Sequence, residues 1–179
     1  MGKLTSIFDG AVTLEIPDDF VSGPEKRSFI LQRKDLRELR NTRLIRRLLF
    51  RSTYREPPRT CFYSPDDEDT RIVCSDTPNN VRWPSDARKT VETMESSTYK
   101  AHKNPHDVKT AICHDSNGNP LVATKYDVEV KDGIWYVLMI ALPVRGYMAG
   151  ITMKCTTRDV GTRWNQYLAA ADSIRILEP

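Results

Sequence analysis

From Val108 to Cys155 the chain alternates apolar runs with tight turns, and this pattern commits it to an antiparallel sheet. Val108 to Cys113 leads into the turn Asp115-Ser116-Asn117-Gly118-Asn119-Pro120, and Leu121 to Val130 returns from it. Asp132-Gly133 makes a hairpin turn into Ile134 to Leu142, and the run Ala149 to Cys155 follows the Gly146 turn. Aspartate-glycine between apolar runs is a strong short-range hairpin signal, because glycine takes positive φ at no steric cost. Strands joined this closely pair antiparallel, since a parallel neighbour needs a long crossover connection.

The flanks add shorter elements. Val12-Thr13-Leu14-Glu15-Ile16 alternates apolar with polar residues and stops at Pro17-Asp18-Asp19, the pattern of a half-buried strand. Cys61-Phe62-Tyr63 and Arg71-Ile72-Val73-Cys74 read as strands around the acidic turn Pro65-Asp66-Asp67-Glu68-Asp69. Residues 33–51 have the spacing of a helix that cannot run past Pro57-Pro58. Trp83-Pro84-Ser85 opens a second helix, with Ser85 as N-cap and Ala87, Val91 and Met94 on one face. Asp159 or Thr162 caps a last helix through Trp164, Leu168 and Ala171, and Ile174 and Ile176 form a final short strand. The expected fold class is α+β, an antiparallel meander sheet with flanking helices. The expected organisation is one domain over residues 1–179, with a basic helical insertion at about 25–58.

That insertion dominates the charge distribution. The chain as a whole is only +3, yet residues 25–55 hold eleven Lys/Arg against Glu25, Asp35 and Glu38, so this segment is +8 and the remainder −5. Arg33, Arg37, Arg40, Arg47 and Arg51 recur at spacings that place them near one helical face. A guanidinium makes two parallel hydrogen bonds to a carboxylate or phosphate, so this face is the candidate partner-binding surface. The bland reading is an ordinary solvated face of an amphipathic helix. Nucleic acid is the poorer fit, because no aromatic platform is interleaved with the arginines.

Catalytic signatures are missing. There is no G-x-S-x-G elbow, phosphate loop, H-E-x-x-H or G-x-G-x-x-G. His102, His106, Cys113 and His114 are the best metal candidates, but Pro105 argues against a helix aligning the first two. Cys113 and His114 would point to opposite strand faces. Asp66, Asp67, Glu68 and Asp69 lack the glycine and spaced ligands of a calcium loop, so they read as a solvated acidic turn or as partners of the basic helix. The expectation is a protein that is not an enzyme and uses neither metal nor cofactor. Four cysteines without C-x-x-C, and no secretory leader, fit reduced thiols in a cytoplasmic protein. The longest nearly apolar stretch, Ile134 to Val144, is about half the roughly 20 residues of a membrane-spanning helix, which argues against a membrane partner.

Both ends of the sequence resemble a known small fold. Phe8-Asp9-Gly10 leading into Val12-Thr13-Leu14-Glu15-Ile16-Pro17-Asp18-Asp19-Phe20 is similar to the opening of PsbP-like and DcrB-like domains. Thr162 to Ala171 as a helix, followed by Ser173-Ile174-Arg175-Ile176 as a strand, resembles their close. The resemblance implies a PsbP-like sandwich acting as a non-enzymatic adaptor, in a group that includes type VI secretion effector chaperones and some immunity proteins. It carries no catalytic residues to transfer. The expected function is an immunity protein that neutralises a cognate secreted toxin by direct binding. The alternatives are an effector chaperone shielding an apolar segment, and beyond that a nucleic-acid binder or an enzyme of unrecognised type.

Overall fold

The computed structural model describes residues 2–23, 59–67, 69–76, 81–102, 104–131 and 133–179. The basic segment, with Arg33, Arg37, Arg40, Arg47 and Arg51, lies outside the described residues, as do Glu68 and Asp132.

The meander forms as its turns dictate. β6 (His106–His114), β7 (Pro120–Val130), β8 (Gly133–Val144) and β9 (Tyr147–Thr156) pair in sequence order. β9 continues to β5 (Arg71–Asp76), then β4 (Arg59–Tyr63) and β3 (Val21–Gly23), giving a seven-stranded antiparallel sheet in the order β3-β4-β5-β9-β8-β7-β6. The β7–β8 turn falls one residue earlier than expected. Val130 pairs with Gly133, so Gly133 belongs to the strand, which it opens at φ 139°.

A second sheet is made from the chain's two ends. β1 (Gly2–Ile7) and β2 (Val12–Pro17) form a hairpin, and β10 (Arg175–Ile176) pairs with β2 on its other side. β1 was not expected from the sequence. It is an edge strand with Leu4 65% exposed, so it carries no apolar alternation to reveal it. β3 is three residues long and equally silent.

The core lies between the sheets and beneath α2 (Val160–Asp172). Val12, Leu14 and Ile16 of β2 meet Leu138, Ile140 and Leu142 of β8 and Ile151, Met153 and Cys155 of β9. Tyr167 of α2 is completely buried among them, and its hydroxyl donates to the Lys154 carbonyl at 2.7 Å, meeting the need of a buried phenol for a partner. Trp164, Tyr167, Ala170 and Ala171 face the core, while Leu168 is 42% exposed, one position round the helix from Tyr167. Asp159 is the N-cap position, but its side chain makes no capping bond and accepts from Thr70 Oγ1 at 3.3 Å instead.

The opposite face of the large sheet is covered in part by α1 (Ala87–Ala101). Met94 packs on Val122 of β7 and Ala141 of β8, flanked by Trp83, Ala87, Val91, Met139 and Met148. Its N-cap is Asp86 rather than Ser85, and the Asp86 carboxylate accepts from the Arg88 N–H at 2.9 Å. Either side chain suits the role, and the helix starts one residue later than the Pro84 signal suggests.

Candidate functional site

β9 alternates its side chains between the two faces of the sheet. Met153 and Cys155 enter the core, and Lys154 therefore emerges on the α1 side, between Val137 of β8 and Arg71 of β5. Lys154 is only 6% exposed there. A buried ammonium requires compensation, and three groups supply it. Asp69 accepts from Nζ at 3.1 Å, the Trp135 ring lies 3.4 Å below Nζ, and Asp67 adds a second carboxylate nearby. Burial, with Arg71 alongside, pushes the Lys154 amine below the usual lysine range, and Asp69 and Asp67 only partly offset this.

The carboxylates are held by the turn that carries them. Asp67 Oδ1 accepts from the Asp69 N–H at 2.9 Å, and Oδ2 accepts from Thr70 Oγ1 at 2.9 Å and Thr156 Oγ1 at 3.1 Å. Burial alone would raise the Asp67 pKa, but these hydrogen bonds, with Lys154, bring it below the ordinary carboxylate value. The acidic turn is therefore only in part the solvated loop expected from its composition. Only Asp66 of the three described aspartates is exposed, because Lys154 draws the turn onto the sheet.

The cluster extends to the end of α1. His102 is the C-cap, and its Nε2 lies 3.0 Å from Tyr126 Oη, which also contacts Met139 Sδ at 3.5 Å. Burial, and then Lys154, hold the His102 imidazole below its ordinary pKa, while burial raises the Tyr126 phenol to about 12. Beside His102 an open depression is lined by Tyr99, Lys100, His102, Asn104, Pro105 and His106. Asn104 and Asp107 take positive φ here, 56° and 49°, where the chain leaves the helix and enters the bulged start of β6.

Lys154, Asp69, Asp67, His102 and Tyr126 carry the residue types of acid–base chemistry, but each is engaged with a neighbour inside the protein. The depression exposes only His102 of this set. Among the described residues, no group of three or more His, Cys, Asp and Glu is placed to hold a metal ion. Cys113 and His114 stand on opposite faces of β6, as alternation requires, and both are exposed. The remaining thiols, Cys61, Cys74 and Cys155, are buried, and burial raises Cys74 and Cys155 to about 12. None of this cluster was singled out from the sequence except the acidic turn and His102. The available signal was Lys154 itself, a cation in the middle of an apolar strand.

Two further polar groups, Arg163 and Asp115, are structural. Arg163 of α2 bonds Asp19 (Nη1 to Oδ1, 3.0 Å) and Ser64 (Nη2 to Oγ, 3.1 Å), and its guanidinium carbon lies 5.0 Å from the Phe20 ring centroid. Asp115 is buried in the β6–β7 turn and accepts from the backbone N–H groups of Asn117, Asn119 and Ile176 at 2.9, 2.8 and 2.7 Å.

No family model matches the chain, and no curated protein matches it. Solved structures do. The solution structure of the cyanobacterial PsbP protein (CyanoP) from Synechocystis sp. PCC 6803 superposes with a TM-score of 0.57 at 11% identity, covering 97% of this chain and 91% of that one. PA94, a protein of unknown function from Pseudomonas aeruginosa, superposes with a TM-score of 0.51 at 12% identity, with 94% of each chain covered. The chain has a PsbP-like α+β fold, and identity this low bears on the fold alone.

Proposed function

We propose that this is a non-enzymatic protein-binding domain, and specifically a cytoplasmic bacterial immunity protein that neutralises a cognate secreted toxin by direct binding. The observation that carries the reading is the internal engagement of the buried polar groups. Lys154 ends on Asp69 and Trp135, Asp67 on two threonines, Asp115 on backbone amides and His102 on Tyr126. Among the described residues only Thr90 Oγ1 is a buried side-chain polar atom without a partner. Groups spent on holding the fold leave recognition to the surface, and charge along the sequence is strongly polarised between residues 25–55 and the rest. Arg33, Arg37, Arg40, Arg47 and Arg51 are the proposed charged contacts, because complementary charge speeds encounter and suppresses wrong partners.

The chaperone alternative calls for a continuous exposed apolar patch. Among the described residues the exposed large apolar side chains lie on β1, β3, β6, β9, both helices and two loops.

The test is a pulldown from the native host at moderate salt with the wild-type chain and with Arg37→Glu/Arg40→Glu/Arg47→Glu. Wild type should retain one large protein with a toxin domain, and the triple variant should lose it. Retention by both would remove the arginine face from the interface, and retention of RNA alone would remove the protein-binding reading.

A further inference from the structure

β6 is the outer strand of the large sheet on the side away from β3, and it is nine residues long. Among the described residues, one row of its backbone N–H and C=O groups therefore has no strand to pair with. Its first part is irregular, with an extra residue between His106 and Lys109, while Lys109 to His114 pairs regularly with β7. Such an edge is a template for an added strand unless charge, proline or a bulge blunts it. Here the bulge protects only the beginning, and Thr110-Ala111-Ile112-Cys113 carries no charge at all.

The charges beside this stretch indicate what it would accept. Lys109 lies directly opposite Lys125 of β7, both exposed, on the face that also carries Ala111 and Cys113. Like charges directly opposed across a strand pair are unfavourable. On the far side Lys125 is opposite Leu138 of β8, which offers no countercharge. The carboxylates on this face of β7, Asp127 and Glu129, lie further along, towards the bulge, where Asp127 pairs with His106; Asp107 sits within the bulge itself. Neither lysine makes an ion pair among the described residues. Among the described residues, the unfilled position next to Lys109 is the one beyond the sheet edge. On the opposite face, Ile112 is 40% exposed and available as an apolar contact.

We propose that Lys109–His114 of β6 is a docking edge for an extended segment of a partner protein, which adds as a further strand and places a carboxylate opposite Lys109. The proposal rests on the protein-binding reading above and names the partner's chemistry: an acidic residue on one face and an aliphatic residue, three positions away, over Ile112. A second copy of this chain is a poorer occupant, because strand-to-strand self-pairing would bring another Lys109–Lys125 pair to the same sheet.

The probe is a capped nonapeptide of threonine and valine bearing one central glutamate, with a lysine-for-glutamate counterpart, titrated into isotopically labelled protein and followed by backbone amide shifts. The glutamate peptide should shift amides of residues 109–114 and bind about fivefold or more tighter than the lysine peptide, a preference that shrinks with added salt. Lys109→Glu/Lys125→Glu, both exposed positions, should reverse the preference. Equal binding of both peptides, shifts mapping away from β6, or no shifts at millimolar peptide would overturn the proposal. The same double variant in the native-host pulldown separates the two readings. If wild type and variant retain the same toxin-like protein equally, the binding function stands and the β6 edge is not its site. If wild type retains no protein, the binding function falls, and the peptide titration still judges the edge.

Discussion

Lys154 and Asp69 form one ion pair with two unequal ends. The lysine side chain is 8% exposed and the aspartate 38%, so only the aspartate can return to water if its partner is lost. Asp69→Ala should therefore cost about 3 kcal/mol, because it leaves an ammonium buried against Trp135, whereas Lys154→Met should cost only about 1 kcal/mol. Urea unfolding of both variants measures the difference, and equal losses would contradict the asymmetry. The titration of His102 gives a second prediction. Its folded pKa is lowered, so the fold favours the neutral ring; this stability is present above the unfolded value of about 6.5 and is lost as pH falls through the folded pKa. Asp19, Asp67 and Asp115 are also lowered, and their contribution is present above about pH 4 and lost in more acid solution. As pH falls below 7, melting temperature should show two descending steps, and His102→Gln should remove the upper one while leaving the lower.

At the scale of elements, two hydrogen-bonding devices hold structure that propensity alone would not. The Asp86 cap supports α1, and Asp86→Ala should destabilise by about 1 kcal/mol in thermal unfolding. Asp115 holds β10, whose two residues could not persist on one neighbour. Its carboxylate takes the Ile176 N–H, while Asn117 Nδ2 and Asn119 Nδ2 donate to the Ile176 carbonyl at 3.1 Å each. Asp115→Ala should cost about 2–3 kcal/mol, with hydrogen exchange speeding first at residues 175–177. The elements legible in the sequence were those with a local signal. β7, β8 and β9 announced themselves by alternation and turns, and α1 by Ala87, Val91 and Met94. β1 and β3 gave no such signal because an edge strand need not alternate. The site was less legible still, since Lys154, Asp69, Trp135 and Tyr126 come from separate strands and turns and only the pairing register brings them together.

At the scale of the whole molecule, the large sheet has two different faces. One is an apolar interior shared with β2, β10 and α2, and the other carries α1 and the Lys154 cluster. No described helix is long and apolar enough to cross a membrane. The small sheet joins residue 12 to residue 176 through β2 and β10. This pairing sets the timing of folding. During synthesis β2 can pair with β1 at once, but its other edge waits until residues 175–176 have been made. The interior face of the large sheet waits with it for Tyr167, Ile174 and Ile176. The amino-terminal hairpin must therefore be guarded from wrong strand partners while translation continues, and a ribosome stalled short of residue 160 would display an unfinished sandwich with Val12, Leu14 and Ile16 short of their α2 and β10 neighbours.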